Sequence, residues 1–291
     1  MMDVYTLGEP LGVVSSGRVR HESEARLDVC GPEFTLAIAL ARLGHRCAYL
    51  GKVADDELGA RALTVLRGED VDVSDMRVAE GARTGLLLRE SRVGRELTVT
   101  THYRTGSAGA LLAPGNVPID RIAAARMLHV TGLTAALGRD ALDAVRAAVS
   151  AARNAEVPIS FSVEYVPELW PSVREAEEVL SELACEAHLL FLRQDELDLV
   201  KPALIPEREV VVDRGAKGAS VRADRMRYDV QGWQVPVVDT AGAGEAFAAG
   251  YISAALDGLI PQERLHRGAL LSAAAVTSVS DWQGLPTRAE L

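Results

Sequence analysis

The stretch Val238-Asp239-Thr240-Ala241-Gly242-Ala243-Gly244-Glu245-Ala246-Phe247 decides how this chain is read. The apolar run 235–238 predicts a buried strand and 243–256 predicts a helix. Between them Gly242 and Gly244 let the backbone come close to a ligand. The start of a helix offers N–H groups without intrahelical partners and a partial positive charge, so this turn can cradle an anion, most often a phosphate. Glu245 stands in the same turn, where its carboxylate could accept a proton from a hydroxyl attacking that phosphate. The glycines alone leave a plainer alternative open, a tight connection in which Asp239 and Thr240 cap the helix. Two familiar phosphate loops are absent: no GxxxxGK[ST] occurs, and Gly244 is followed by Glu-Ala-Phe instead of completing a dinucleotide GxGxxG.

Outward from this turn, strand-like runs alternate with helical periodicity. Strands are expected at 4–7, 47–50, 127–130, 158–163, 189–192 and 210–212. Helices are expected at 33–43, closed by Gly44, at 55–67, closed by Gly68, and at 140–153, 172–185 and 262–279. Continuous apolar strands of this kind belong to a parallel sheet covered by helices on both faces. One segment breaks the alternation: 85–103 holds two strand-like runs about a Ser-Arg-Val-Gly-Arg turn, the signal of a hairpin. It predicts a small β-element outside the main sheet, a lid, with 18–29 supplying partner strands. No repeat and no linker rich in Pro, Gly or Ser divides the chain, so one domain over 1–291 is expected, with the lid inserted from about 12–30 and 84–106.

Composition bounds the function. A content of 48% hydrophobic residues supports a sizeable core, and 4% aromatics make it one of Ala, Val and Leu. A net charge of −10 without a basic stripe argues against a nucleic-acid partner. Lys52, Lys201 and Lys217 are the only lysines, which reads as compositional bias. Cys30, Cys47 and Cys185 form no CxxC pair and fit reduced thiols in a cytoplasmic setting. Neither a signal peptide nor an 18-residue apolar stretch is present, so no membrane association is expected. The six histidines lack metal-site spacing, and His102 is placed on the surface.

The turn resembles the signature Asp-Thr-x-Gly-Ala-Gly-Asp-x-Phe of the PfkB (ribokinase-type) carbohydrate kinases. The resemblance continues in order along nearly the whole chain, through Gly8-Glu9, Cys30-Gly31-Pro32-Glu33-Phe34-Thr35, Ala41-Arg42-Leu43-Gly44 and the run 51–59. His102-Tyr103-Arg104-Thr105-Gly106-Ser107-Ala108 and Gly284-Leu285-Pro286-Thr287 are similar to the 2-keto-3-deoxygluconate kinase branch, and Gly215-Ala216-Lys217-Gly218 to the family's nucleotide loop. The resemblance implies a three-layer αβα ribokinase-like fold, a mostly parallel central sheet and a small β-sheet lid. It implies transfer of the γ-phosphoryl group of ATP, with Mg2+, to a sugar or sugar-acid hydroxyl, and a homodimer formed through the lid. Glu245 would be the base, and Gly242, Ala243 and Gly244 the anion hole. Gly31, Thr35, Tyr103, Arg104 and Asp239 would bind the sugar, the Arg104 guanidinium being suited to hold a carboxylate in a bidentate fork. Arg193, Gly215, Lys217, Gly218 and Thr277 would face the nucleotide, and Glu196 the metal.

The polar lining departs from the family pattern. Glu245 stands for the catalytic Asp, Thr35 for an Asn, and Arg193 for the Asn of Asn-x-x-Glu, although Glu196 remains. Ser162-Val163-Glu164-Tyr165-Val166 stands for Asp-x-Asn-x-Arg, and Asp213 and Arg214 replace the usual residues before Gly215. Moving a catalytic group by roughly 1 Å costs about 100-fold, so Glu245 predicts a slow enzyme more than a dead one. A kinase-fold protein that binds sugar or nucleotide with little transfer is the first alternative. A dinucleotide-dependent α/β enzyme is the second, opposed by the missing GxGxxG.

Overall fold

A strand buried on both faces sends alternate side chains into two different layers, and that division organises this chain. The computed structural model describes residues 1–92, 97–200 and 208–291. In chain order it contains β1 (Val4–Gly8), β2 (Leu11–Ser16), β3 (Arg26–Cys30), α1 (Pro32–Arg42), β4 (Cys47–Ala54), α2 (Glu57–Gly68), β5 (Arg77–Ala79), β6 (Gly85–Arg92) and β7 (Leu97–Tyr103). There follow α3 (Ile119–Ala123), β8 (Met127–Thr131), α4 (Gly132–Ala135), α5 (Arg139–Asn154), β9 (Ile159–Ser162), α6 (Val173–Glu186), β10 (Leu189–Arg193) and β11 (Glu209–Asp213). The last elements are β12 (Ala219–Ala223), β13 (Met226–Val230), α7 (Ala243–Leu256) and α8 (Pro261–Ala275).

The strands form a nine-stranded sheet in the order β13-β12-β11-β10-β9-β8-β1-β4-β5, parallel except where β12 and β13 fold back. Leu189 and Phe191 of β10 enter the layer made with α1, α2, α7 and α8, whereas Leu190 and Leu192 enter the layer made with α5 and α6. This is the expected α/β sandwich of helices about a mostly parallel sheet. A second sheet, β3-β2-β6-β7, pairs β2 with β6 in parallel and with β3 antiparallel, and closes with the antiparallel β6–β7 pair.

Several sequence expectations need correction. The strands that join the hairpin are Leu11–Ser16 and Arg26–Cys30, so of 18–29 only the last residues pair, because the polar run 18–25 stays in solvent. The hairpin's turn residues 93–96 lie outside the described residues. Residues 235–238 are no strand: the Val238 N–H donates to the Val276 carbonyl (2.7 Å), so the segment runs against the end of α8 and not along the sheet. Helix α8 stops at Ala275, where the Thr277 hydroxyl turns back to the Ala274 carbonyl (2.7 Å), instead of reaching 279. The β12–β13 hairpin went unread because its two-residue turn is Asp224-Arg225, both at positive φ (49° and 64°) without the glycine that normally advertises such a turn.

The run 278–285 straps the two sheets together. Ser280 Oγ donates to Asp28 Oδ2 (3.1 Å), Trp282 Nε1 to the Val29 carbonyl (2.9 Å), and Arg42 Nη1 to the Leu285 carbonyl (2.7 Å).

Candidate active site

Helix α7 is buried along Ala246–Ala254 and packed between α1 and α8, so its N-terminus has a fixed position. Gly242 is its N-cap at φ +77°, and a Cβ there would lie 2.1 Å from the Asp281 carbonyl oxygen. Only glycine satisfies both the left-handed backbone and that close approach. Asp239 Oδ1 accepts from the Ala241 N–H (3.1 Å), an Asx turn that braces the approach to the helix. The first N–H groups beyond Gly242 lack intrahelical acceptors; that of Ala243 turns back to the Thr240 carbonyl (3.4 Å), and Ala243 and Gly244 line a cavity of about 850 Å³. Glu164, Glu196, Gly215, Lys217, Gly244 and Glu245 are among its walls. The cavity lies at the carboxyl ends of β9, β10 and β11, the usual place for ligands in a parallel sheet.

On one side of the cavity is the turn Gly215–Lys217, fixed by Asp213 Oδ1, which accepts from the Gly215 N–H (2.8 Å). A smaller apolar slot of about 180 Å³ continues from it, walled by Gly218, Trp233, Val237, Phe247 and Val276. Thr277 adjoins Val276 but spends its hydroxyl on the Ala274 carbonyl. Glu196 is buried and has both oxygens occupied: Oε1 accepts from the Tyr165 N–H (2.7 Å) and faces Arg193 Nη2 (2.9 Å), and Oε2 accepts from the Arg193 N–H (2.7 Å). Its visible work is to tie the end of β10 to the loop after β9.

On the other side lies the four-stranded sheet. Arg104 at the end of β7 is buried, and its Nε (2.8 Å) and Nη2 both donate to Glu9 Oε2, while Ser107 donates to Oε1. Gly85 and Gly109 make the room, since a Cβ on either would fall within 2.6 Å of the Glu9 side chain. The guanidinium therefore holds a protein carboxylate, and it is neither the solvated surface residue nor the open fork that the sequence admits. Tyr103 is 59% exposed on the outer side of the sheet. His102 is half-buried with a sealed, unpartnered Nδ1, which overturns its surface placement. Burial, then the Arg104 charge, pushes its pKa down. Arg89 of β6 pairs with Asp281 through both terminal nitrogens (Nη2–Oδ2 2.8 Å) and reaches Cys30 Sγ (3.9 Å), which links the small sheet to the segment under Gly242.

Glu33 stands in the first turn of α1 after Gly31, the N-cap, beside the ends of β1 and β8. It is fully buried, and its Oε1 accepts from the hydroxyls of Thr131 and Thr134 (2.6 Å each). Its Oε2, Glu164 Oε2 and Thr35 Oγ1 are sealed from solvent without a partner. Burial lifts Glu33 from the usual 4.5 to about 7, against the pull of the two threonine hydroxyls. Glu164, held at φ +43°, is driven well above the carboxylate range by burial and by the charges of Glu245 and Glu33. Glu245 is raised by burial, with its own N–H opposing.

Between 4.5 and about 7 the folded chain keeps a proton on Glu33 that the unfolded chain has released, so stability falls as pH rises through that window. In Glu33→Gln this loss is absent. Thermal unfolding at pH 5 and pH 8 should give a melting difference that shifts in favour of the variant at the higher pH. A difference independent of pH would assign Glu33 an ordinary pKa.

Of the residues singled out by sequence, Ala243, Gly244, Glu245, Gly215 and Lys217 line one cavity, while Asp239 and Gly242 stand in the turn that leads to it. Sequence reading did not single out Glu9, Glu33, Arg89 or Asp281, whose partners are distant in the chain. The only local hint was a polar residue at a strand end, Gly8-Glu9.

Comparison with known proteins supplies the kinship. The model of the pfkB family carbohydrate kinases matches residues 2–288. The 2-dehydro-3-deoxygluconokinase of Bacillus subtilis (strain 168) is 34% identical, the alignment covering 100% of this chain and 94% of the relative. Among solved structures, the PfkB protein from Polaromonas sp. JS666 superposes with a TM-score of 0.88 at 29% identity, over 100% of this chain and 99% of that one. An E. coli structure described as a Ribokinase II in complex with ATP and Mg2+ gives 0.90 at 21% identity, over 100% and 97%, and shares the fold.

Proposed function

This chain belongs to the pfkB family of carbohydrate kinases, and from that premise we propose that it uses ATP to phosphorylate a sugar hydroxyl at the N-terminus of α7. The observation that carries the reading is the joining, in one cavity, of the glycine turn, the Glu245 carboxyl and the Gly215–Lys217 turn. The adenine would occupy the apolar slot beside Gly218 and Trp233, and the phosphates would run past Gly215, Lys217 and Arg193 to the α7 N–H groups. The acceptor oxygen would bond to the γ-phosphorus as the bond from that phosphorus to the ADP oxygen breaks, its proton passing to Glu245. Gly242, Ala243 and Gly244 would stabilise the charge on the moving phosphoryl group.

Among the described residues no group of three or more His, Cys, Asp or Glu is arranged to hold a metal. That suits Mg2+, which keeps its waters and is bound through phosphate oxygens and few carboxylates. When bound it would neutralise phosphate charge, with Glu196 contributing at most through water.

The small sheet would close over the sugar with Gly31 and Thr35 beneath it, and we propose a homodimer through its outer side, where Leu27 and Tyr103 stay exposed. The relatives' names make 2-keto-3-deoxygluconate the first acid to try.

The longer Glu245 side chain and the Arg193 position favour a second reading, a binding protein with weak transfer. ADP release from MgATP should depend on added sugar if the kinase reading holds. A flat panel together with ligand-induced thermal stabilisation would select the binding protein.

A further inference from the structure

Resting on that reading of the site, we propose that Arg89 and Asp281 are positioning residues for the transfer, an ion pair between the small sheet and the 278–285 strap that fixes the α7 turn presenting Glu245. The first ground is contact. A Cβ on Gly242 would lie 2.1 Å from the Asp281 carbonyl oxygen and 2.7 Å from its carbonyl carbon and Cα, so the N-cap of α7 rests directly on the Asp281 backbone. No side chain cushions that contact, and a shift of residue 281 is passed to the turn. Misplacing a catalytic group by roughly 1 Å costs about 100-fold. What holds residue 281 is therefore part of what holds the base.

The second ground is how Asp281 is held. Its neighbours Ser280 and Trp282 bond to Asp28 and to the Val29 carbonyl of β3. Its own carboxylate is taken by Arg89 of β6, one terminal nitrogen to each oxygen (Nη2–Oδ2 2.8 Å). A two-pronged pair fixes orientation as well as distance. The two side chains are only 13% and 9% exposed. Well-packed apolar residues often stabilise as much as a buried pair does, so the use of this one is to specify a geometry. Arg89 Nη2 also reaches Cys30 Sγ (3.9 Å), the residue before the Gly31 N-cap of α1. One guanidinium thus touches the strap and the turn into α1 from the small sheet.

The third ground is charge. Burial raises the Glu245 pKa and its own N–H opposes this; the next influences are Asp281, which raises it, and Arg89, which lowers it. Arg193 at the end of β10, Glu164 after β9 and Cys30 at the end of β3 also face Glu245, and Asp239 faces Arg89. The two halves of the pair act on the Glu245 proton in opposite directions, which a purely mechanical support would not.

The experiment follows ADP release against pH in Arg89→Met, Asp281→Asn and the double variant Arg89→Met/Asp281→Asn. Each should lower kcat by about tenfold or more and leave KM for MgATP and for the best sugar near the parent's, the mark of a support felt in the transition state. The acid limb of Glu245 is the one absent in Glu245→Gln. Its carboxyl must be ionised to act, so the limb should move to higher pH in Arg89→Met and to lower pH in Asp281→Asn. The double variant should return the limb toward the parent's position and keep the lowered kcat. An unchanged kcat, a loss carried by KM, or limbs that stay or move together overturn the proposal. Asp281→Asn keeps the size of the residue and an acceptor for Arg89, so it and the double variant carry the test should Arg89→Met not fold. If the parent releases no ADP with any sugar, the kinase reading fails on its own and the pair is judged without turnover. The Glu245 carboxyl is then titrated by carbon NMR, its resonance being the one missing from Glu245→Gln. Opposite displacements of that titration in the two single variants uphold the proposal, and any other result overturns it.

Discussion

Glu245→Gln should lower kcat by about 10² to 10⁴-fold, the contribution of a general base, while changing nucleotide affinity little. The amide keeps the length of the side chain and its place in the α7 turn but has no lone-pair basicity to receive the acceptor's proton. The parent should also lose activity on acidification with a midpoint above 4.5, because burial raises the Glu245 pKa. That limb should vanish in the variant. Steady-state ADP release between pH 5 and 9 tests both points, and a variant retaining most of its turnover removes Glu245 from the reaction. Glu245→Asp separates two histories of the site. Faster turnover would mean that the extra methylene misplaces the base, and slower turnover that the pocket has been reshaped around glutamate.

Glu9→Ala should destabilise the chain by about 3–5 kcal/mol, the usual cost of stranding one member of a buried ion pair. Glu9 is fully buried and Arg104 nearly so, and Glu9 accepts from Arg104 and Ser107 together. Removing the carboxylate leaves a guanidinium in the interior with no acceptor. Replacing both partners, as in Glu9→Ala/Arg104→Met, should recover much of the loss, since the stranded charge and not the missing attraction dominates. Urea unfolding of the parent, the single and the double variant distinguishes the cases. A single variant within about 1 kcal/mol of the parent would show the pair to be energetically idle.

These two predictions differ in how far sequence could have led to them. Glu245 follows from local order, because a glycine turn and a helix start are written in consecutive residues and α7 runs over the residues expected of it. The parallel strands β1, β4, β8, β9, β10 and β11 were readable for the same reason, each being a short apolar run, whereas β5, with Arg77 at its start, was not. The partner of Arg104 lies 95 residues away, and that of Arg89 lies 192 away. No periodicity encodes which acid meets which base across such distances, so a fork suited to a substrate carboxylate and a fork already filled look alike in sequence. The same holds for Glu33, whose raised pKa comes from burial between the ends of β1 and β8.

The strap 278–285 bears on how the molecule comes into being. Its hydrogen bonds to β3 span 252 and 253 residues. A chain synthesised from its N-terminus therefore makes β2 and β3 long before the strap that anchors them. The same late segment carries the Asp281 carbonyl on which Gly242 rests. During translation the central strands can pair with near neighbours as they emerge, but the support under Gly242 and the mooring of the small sheet arrive together, with the strap. The small sheet is thus fully moored only once synthesis has passed the strap.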